Sequence, residues 1–267
     1  MSDIKTDLRA NLVTTAHMLA DAARPVTLRW FRSALLATDN KQTGGFDPVT
    51  EADRAAEAEM RRILAVQRPD DGILGEEHGA KAGTSGLTWV LDPIDGTRGF
   101  ISGTPTWGVL IAVNAGGAPL YGIIDQPHIG ERFFGGFGQA GYRGPRNETV
   151  LRTGRCQRLD QAILYSTFPE IGTDAERTAF QRLAARVQLV RYGLDCYAYA
   201  LLAAGHVDLV VEAGLNAYDI QAPIAVIEAA GGIVTDWNGN PAHGGGTVIA
   251  AATAELHEQA LAILSGG

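Results

Sequence analysis

Cysteine is scarce: Cys156 and Cys196 stand 40 residues apart with no CxxC spacing, so neither a disulfide framework nor a zinc cluster is indicated. His17, His78, His128, His206, His243 and His257 are equally scattered. No apolar run approaches the ~20 residues that span a bilayer, and the segment MSDIKTDLRAN is polar where a signal peptide would be hydrophobic, so the cytoplasm is the expected location. Basic residues are also few. Twenty-two Lys and Arg against 30 Asp and Glu give a net charge of −8, which argues against a nucleic-acid or anionic-membrane surface. A phosphorylated ligand would need a metal to meet it. No P-loop, HExxH or G-x-S-x-G is present. Gly136, Gly138 and Gly141 match G-x-G-x-x-G, but they lead into YRGPRNE, which does not read as a helix, so the dinucleotide reading fails on context.

What the chain has is length, glycine and acid. Its 267 residues allow one large domain or two small ones, and 46% hydrophobic residues make an ordinary globular composition. Thirty-three glycines are about 12% of the chain against a usual value of about 7%. Apolar residues at Leu8, Leu12, Ala16, Leu19 and Ala23 recur with helical period until Pro25, which is expected to end or kink the helix. A second helix is expected from Glu51, after a loop or loose hairpin over residues 37–50. Segments 88–91, 109–113, 120–124 and 131–134 read as closely spaced strands. Beyond a seam at 144–155 the rhythm becomes strand–helix alternation: strands near 162–166, 187–192 and 208–212, helices near 174–186, 195–205 and 220–230.

The most unusual stretch is WVLDPIDGTRGFISGTPTW, residues 89–107. A strand runs into Asp92-Pro-Ile-Asp95-Gly-Thr, placing two carboxylates, the Ile94 carbonyl and the amides of Gly96 and Thr97 in one small space. Oxygen ligands of this kind suit a hard cation such as Mg²⁺, and free amides suit phosphate. Asp-Pro-x-Asp-Gly is also common in surface turns. Further acids stand in GEEHG (Glu76, Glu77), in DPVTEAD (Asp53, with Thr50 resembling a capping box) and in VVEAGLNAYDIQAP (Glu212, and Asp219 at a helix mouth, where it could serve as an N-cap). Two carboxylates ~5 Å apart repel by roughly 3 kcal/mol at an effective dielectric of 20, so a cluster of four or five needs cations. The Asp-x-Asp spacing of aspartyl-phosphate enzymes is missing, which disfavours a covalent phospho-Asp route.

DPVTEAD (47–53), GEE (75–77), DPIDGT (92–97) and YDIQAP (218–223), in that order over nearly the whole chain, resemble the inositol monophosphatase superfamily of Mg²⁺-dependent, Li⁺-sensitive phosphatases. Within it, GTRGFISGTPTWG (96–108) and GLDCYAYALLAAGHVDLVVEAGLNAYD (193–219) look most like the bacterial histidinol-phosphate phosphatases. The resemblance implies a layered α/β fold, an α-β-α-β-α sandwich with a large mostly antiparallel sheet and a second smaller one. Residues 1–150 would form a half carrying most metal ligands and residues 151–267 a half carrying substrate contacts. It implies one Mg²⁺ held by Glu76, Asp92 and the Ile94 carbonyl, a second held by Asp92, Asp95 and Asp219, and a weaker third at Asp53 and Glu76. Thr97 would position the attacking water with help from Asp53, and the Gly96 and Thr97 amides would grip the phosphate. The leaving group would meet Gly193, Leu194, Asp195 and Glu212, with Arg191 orienting Asp195 or reaching the substrate. Lys41 falls where the family often keeps a lysine near the metals, and Trp107 reads as a core aromatic that could flank the pocket. The expected reaction is hydrolysis of L-histidinol phosphate by a homodimer. The rivals are inositol 1-phosphate, then 3′-phosphoadenosine 5′-phosphate or fructose 1,6-bisphosphate, and a non-catalytic metal- or phosphate-binding protein.

Overall fold

The computed structural model describes residues 6–33, 38–40 and 48–266; Lys41 and the side chain of Thr50 lie outside what is described. Helix α1 (Thr6–Trp30) and α2 (Glu51–Gln67) flank a short antiparallel pair, β1 (Thr38–Asn40) and β2 (Pro48–Thr50). Then follow β3 (Gly72–Gly75), β4 (Gly79–Lys81), β5 (Leu87–Asp95), the short helix α3 (Thr97–Ser102), β6 (Gly108–Ala115), β7 (Ala118–Gln126), β8 (Glu131–Gly136), β9 (Gln139–Arg143) and β10 (Glu148–Val150). Strands β3 to β10 form one eight-stranded sheet, antiparallel except where β3 runs parallel to β5.

The second sheet has five strands in the order β12, β11, β13, β15, β14. These are β11 (Ile163–Ser166), β12 (Leu189–Tyr192), β13 (Leu209–Asn216), β14 (Ile233–Thr235) and β15 (Gly245–Ala251). The helices between and after them are α4 (Asp174–Ala184), α5 (Cys196–Ala203), α6 (Ala217–Ala229) and α7 (Ala254–Ser265).

Side chains alternate between the faces of a strand, and β5 shows both of its faces covered. Trp89 and Leu91 pack with Leu12, Ala16, Leu19, Met60 and Leu64 of α1 and α2, whereas Val90 packs with Leu202, Ile220 and Ile227 of α5 and α6. The second sheet repeats the pattern: Val210 and Ala250 face α5 and α6, while Leu209, Val211 and Ile249 face Phe180, Leu183 and Leu256 of α4 and α7. The result is five layers, α-β-α-β-α, with α5 and α6 sandwiched between the sheets. Helix α6 lies close on the first sheet because two strand positions beneath it are glycine. A Cβ at Gly122 would meet the Ala222 carbonyl at 2.5 Å, and one at Gly135 would meet Val226 Cα at 2.7 Å.

One local expectation needs correcting, and another is met. Pro25 does not end α1, which continues to Trp30. Pro25 has no N–H for the Asp21 carbonyl. The helix is tied down on both sides of Pro25, before it by Arg24, whose guanidinium grips buried Asp125 at 2.7 and 3.2 Å, and after it by Thr27, whose hydroxyl bonds the Ala23 and Arg24 carbonyls. The G-x-G-x-x-G glycines belong to the β8–β9 hairpin, turned by Phe137 (φ 51°) and Gly138 (φ 80°), the paired positive φ that tight hairpins demand.

Candidate active site

Strand β5 does not stop before DPID as the sequence suggests; it runs through to Asp95 with a bulge. Asp92 pairs with Leu110 and Asp95 with Gly108, three residues on one strand against two on the other. Residues i and i+3 of a regular strand point to opposite faces, and the one extra residue reverses that parity. Pro93, with no N–H to give the ladder, sits inside the bulge. Both carboxylates thereby come to one side, where Asp219 joins them with oxygens of all three within 4.8 Å of one another.

Each acid is held by backbone. The Asp92 carboxylate accepts from the Ile94 amide at 3.1 Å, Asp95 accepts from the Cys196 amide at 2.6 Å, and Asp219 accepts from the Asn216 amide at 2.6 Å. Asp219 is therefore the third residue of α6 in a capping box, with Asn216 the N-cap. Burial first, then the charges of Glu76, Asp95, Asp219 and Asp53, push the Asp92 carboxyl well above the usual range. Asp95 is pushed up by burial, Asp195 and Asp219. Glu76 from the turn after β3 and Asp53 from α2 thus act on Asp92 from nearby, while the oxygens that close within 4.8 Å of one another are those of Asp92, Asp95 and Asp219.

Gly96 and Thr97 follow directly. Gly96 takes φ 83°, and a Cβ there would meet the Asp195 carboxylate at 2.9 Å, so only glycine fits. The Thr97 hydroxyl donates to the Ile94 carbonyl at 3.2 Å. Asp195 itself has φ 48° and ψ −135°, an uncommon backbone geometry for a residue with a Cβ. A cavity of about 240 Å³ opens beside the acids, lined by Asp95, Asp219, Asp195, Glu212, Tyr199, Cys196, Thr167, Phe168 and residues 213–215. Burial raises Asp195 to about 6 against the pull of Arg98, whose guanidinium lies 5.1 Å over the Phe168 ring. Burial raises Glu212 to about 7, although the Thr167 amide (2.6 Å), the Thr167 hydroxyl (2.9 Å) and Ser166 (3.3 Å) all bond it.

Not every expected residue converges here. Arg191 is exposed on the edge strand β12 and does not line the cavity; Gly193 and Leu194 lie in the turn before α5, outside the lining. Trp107 is fully buried in an aromatic cluster with Phe31 and Phe100. A larger groove of about 1060 Å³ runs along β9, β10 and residues 151–155, but Glu148 is its only acid.

Sequence reasoning missed Glu57. Fully buried one turn beyond Asp53 on α2, it accepts from the Glu77 and His78 amides at 2.7 and 3.2 Å and from Arg61 at 2.6 Å, fixing the turn that carries Glu76. The i, i+4 spacing from Asp53 was the available signal. Thr167 and Tyr199 were missed as well, and no local pattern marks them.

The donor set fits a divalent cation: hard carboxylate oxygens, a neighbouring carbonyl, and a mutual repulsion that positive charge would relieve. Fold and acids together define a metal-dependent phosphatase. The inositol monophosphatase family profile matches residues 9–266, and the chain belongs to that family. It is 40% identical to the chloroplastic bifunctional phosphatase IMPL2 of Arabidopsis thaliana, over 98% of this chain and 76% of that one. It is 32% identical to a histidinol-phosphatase of Mycobacterium tuberculosis, over 94% of this chain and 97% of that one. Among solved structures, an inositol monophosphatase from Zymomonas mobilis matches with a TM-score of 0.85 at 39% identity, over 98% of this chain and 100% of that one.

Proposed function

We propose that this phosphatase hydrolyses L-histidinol phosphate to L-histidinol and phosphate. The observation that carries the reading is the pair Asp195 and Glu212, the first half-buried and the second buried, on the wall of the cavity that Asp95 and Asp219 also line. A leaving group with an amine and an imidazole offers positive charge and N–H donors to both, whereas a polyol offers hydroxyls only. The likeness to a histidinol-phosphatase along nearly the whole of both chains supports it.

In this reading Glu76, Asp92 and the Ile94 carbonyl would hold one Mg²⁺, Asp92, Asp95 and Asp219 a second, and Asp53 with Glu76 a weaker third. When bound, Mg²⁺ supplies positive charge to the phosphate oxygens and lowers the pKa of a nearby water. The chain does the rest. Thr97, its proton held by the Ile94 carbonyl, accepts a hydrogen bond from the attacking water and so aims it, Asp53 accepts the water's proton, and the Gly96 and Thr97 amides hold the phosphate in line; as the new P–O bond forms, the P–O bond to the alcohol breaks and the departing alkoxide takes a proton from solvent water. A homodimer and a cytoplasmic location belong to the proposal on resemblance alone; light scattering after size exclusion tests the first. Among the described residues no helix is long and apolar enough to cross a membrane.

A second reading, inositol 1-phosphate, is favoured by the 39% identity to the Zymomonas enzyme. Phosphate release from histidinol phosphate, inositol 1-phosphate, 3′-phosphoadenosine 5′-phosphate and fructose 1,6-bisphosphate, with and without Mg²⁺, separates them. Histidinol phosphate is expected to give the highest kcat/KM, and faster turnover of inositol 1-phosphate would overturn the assignment.

A further inference from the structure

Tyr199 stands in the first turn of α5, four residues after Asp195, the N-cap of that helix, and both residues line the cavity. The residue is 4% exposed, it lines the cavity together with Asp195 and Glu212, and its hydroxyl has no hydrogen-bond partner among the described residues. Buried hydroxyls are ordinarily satisfied, so a bare one on a residue that lines a polar cavity has a hydrogen bond left to give. A phenol is protonated at neutral pH and so offers one donor.

Beside it, Glu212 is an acceptor with capacity to spare. Thr167 gives two bonds to Oε1, and Ser166 gives only a long one, 3.3 Å, to Oε2. A carboxylate oxygen accepts about two bonds, so Oε2 keeps a lone pair for a ligand. One wall of the cavity therefore presents a donor and an acceptor together. A neutral imidazole carries the complement, one N–H and one nitrogen lone pair.

We propose that Tyr199 is a specificity-determining residue whose hydroxyl donates to an acceptor atom of the substrate's leaving group while Glu212 accepts from a neighbouring N–H. The identity of that acceptor as an imidazole nitrogen rests on the histidinol-phosphate reading. In this reading Tyr199 is neither a metal ligand nor a contact of the phosphate or the attacking water, so its effect should fall on binding of the leaving group more than on the chemical step.

Tyr199→Phe removes the oxygen and keeps the ring. Steady-state kinetics of the Mg²⁺-loaded enzyme on histidinol phosphate should show KM raised about 5- to 10-fold with kcat within about twofold. Turnover of p-nitrophenyl phosphate, whose leaving group has no such nitrogen, should be unchanged, and the melting temperature should not fall. An unchanged KM for histidinol phosphate, or an equal effect on both substrates, would overturn the inference. If the wild type prefers inositol 1-phosphate, the substrate reading fails separately. Tyr199 is then judged by the same KM split between that substrate and the aryl phosphate.

Discussion

Asp95 joins the two sheets' chemistry through one bond: it sits on the β5 bulge yet accepts from the amide of Cys196 at the start of α5. Asp95→Asn keeps an oxygen for that amide and removes the charge, so the fold should survive. Turnover is expected to drop by at least about 100-fold, because a charged group next to the reacting phosphate is lost; retention of most activity would remove Asp95 from the metal set. Glu212→Gln is expected to raise KM for histidinol phosphate about 10-fold and leave KM for an aryl phosphate within about twofold, since only the former brings a cationic or N–H partner. Equal effects in the two assays would take Glu212 out of recognition. At this scale the sequence was legible where acids and their turn lie together, as in DPIDGT. It was silent on Glu212's support by Ser166 and Thr167, 46 and 45 residues away, and on Tyr199, whose meaning depends on the cavity it lines.

Elements place those acids, and helix α6 is the one with least freedom. Gly122 and Gly135 let it touch the first sheet, and Asp219 is one turn ahead of the Ala222 backbone that a Cβ at Gly122 would strike. Gly122→Ala must move helix backbone, so a loss of about 2 kcal/mol in stability is expected, accompanied by weaker Mg²⁺ binding as Asp219 shifts. Urea unfolding and Mg²⁺ titration measure the two effects, and an unchanged Mg²⁺ affinity would show that α6 does not transmit the strain. Glu57→Ala leaves the Glu77 and His78 amides and Arg61 without their acceptor, and about 2–3 kcal/mol should be lost. A urea midpoint within error of wild type would overturn that role. Elements with a clean period, such as α2 and β5 to β8, could be read from residues. Strands β14 and β15 could not, being short or apolar runs among glycines that sheet pairing defines; α7 was passed over although Thr253 caps it and Leu256, Ala260 and Leu264 recur with helical period, and Pro25 misled because its neighbours' side chains, not its own ring, decide where α1 ends.

For the whole molecule the acid excess becomes a titration argument. Asp92, Asp95, Asp195, Glu212 and Asp219 all have folded-state pKa values above their ordinary ones, with burial the leading cause. The folded protein therefore holds protons that the unfolded chain has already released, and stability must fall as pH rises toward and through the raised values. His17, lowered to about 4, and His243 and His257, also lowered, act in the opposite sense, because they favour the fold once pH passes their ordinary 6.5. Asp71, held low by Arg68, Ser85 and Trp89, matters only in acid. Above pH 6.5 the opposing effect of the histidines fades, half of it already spent at 6.5 and nearly all by about 7.5, while the more numerous raised carboxyls go on differing between the two states and outweigh it. The metal-free protein should consequently melt lower at pH 8 than at pH 6.5. Mg²⁺ requires the ionised carboxylates, so the rise in melting temperature it produces should grow over the same interval. Differential scanning calorimetry in chelator and in Mg²⁺ reads both, and a metal-free melting temperature that is flat or rising with pH would mean that the acids are not crowded as the fold places them.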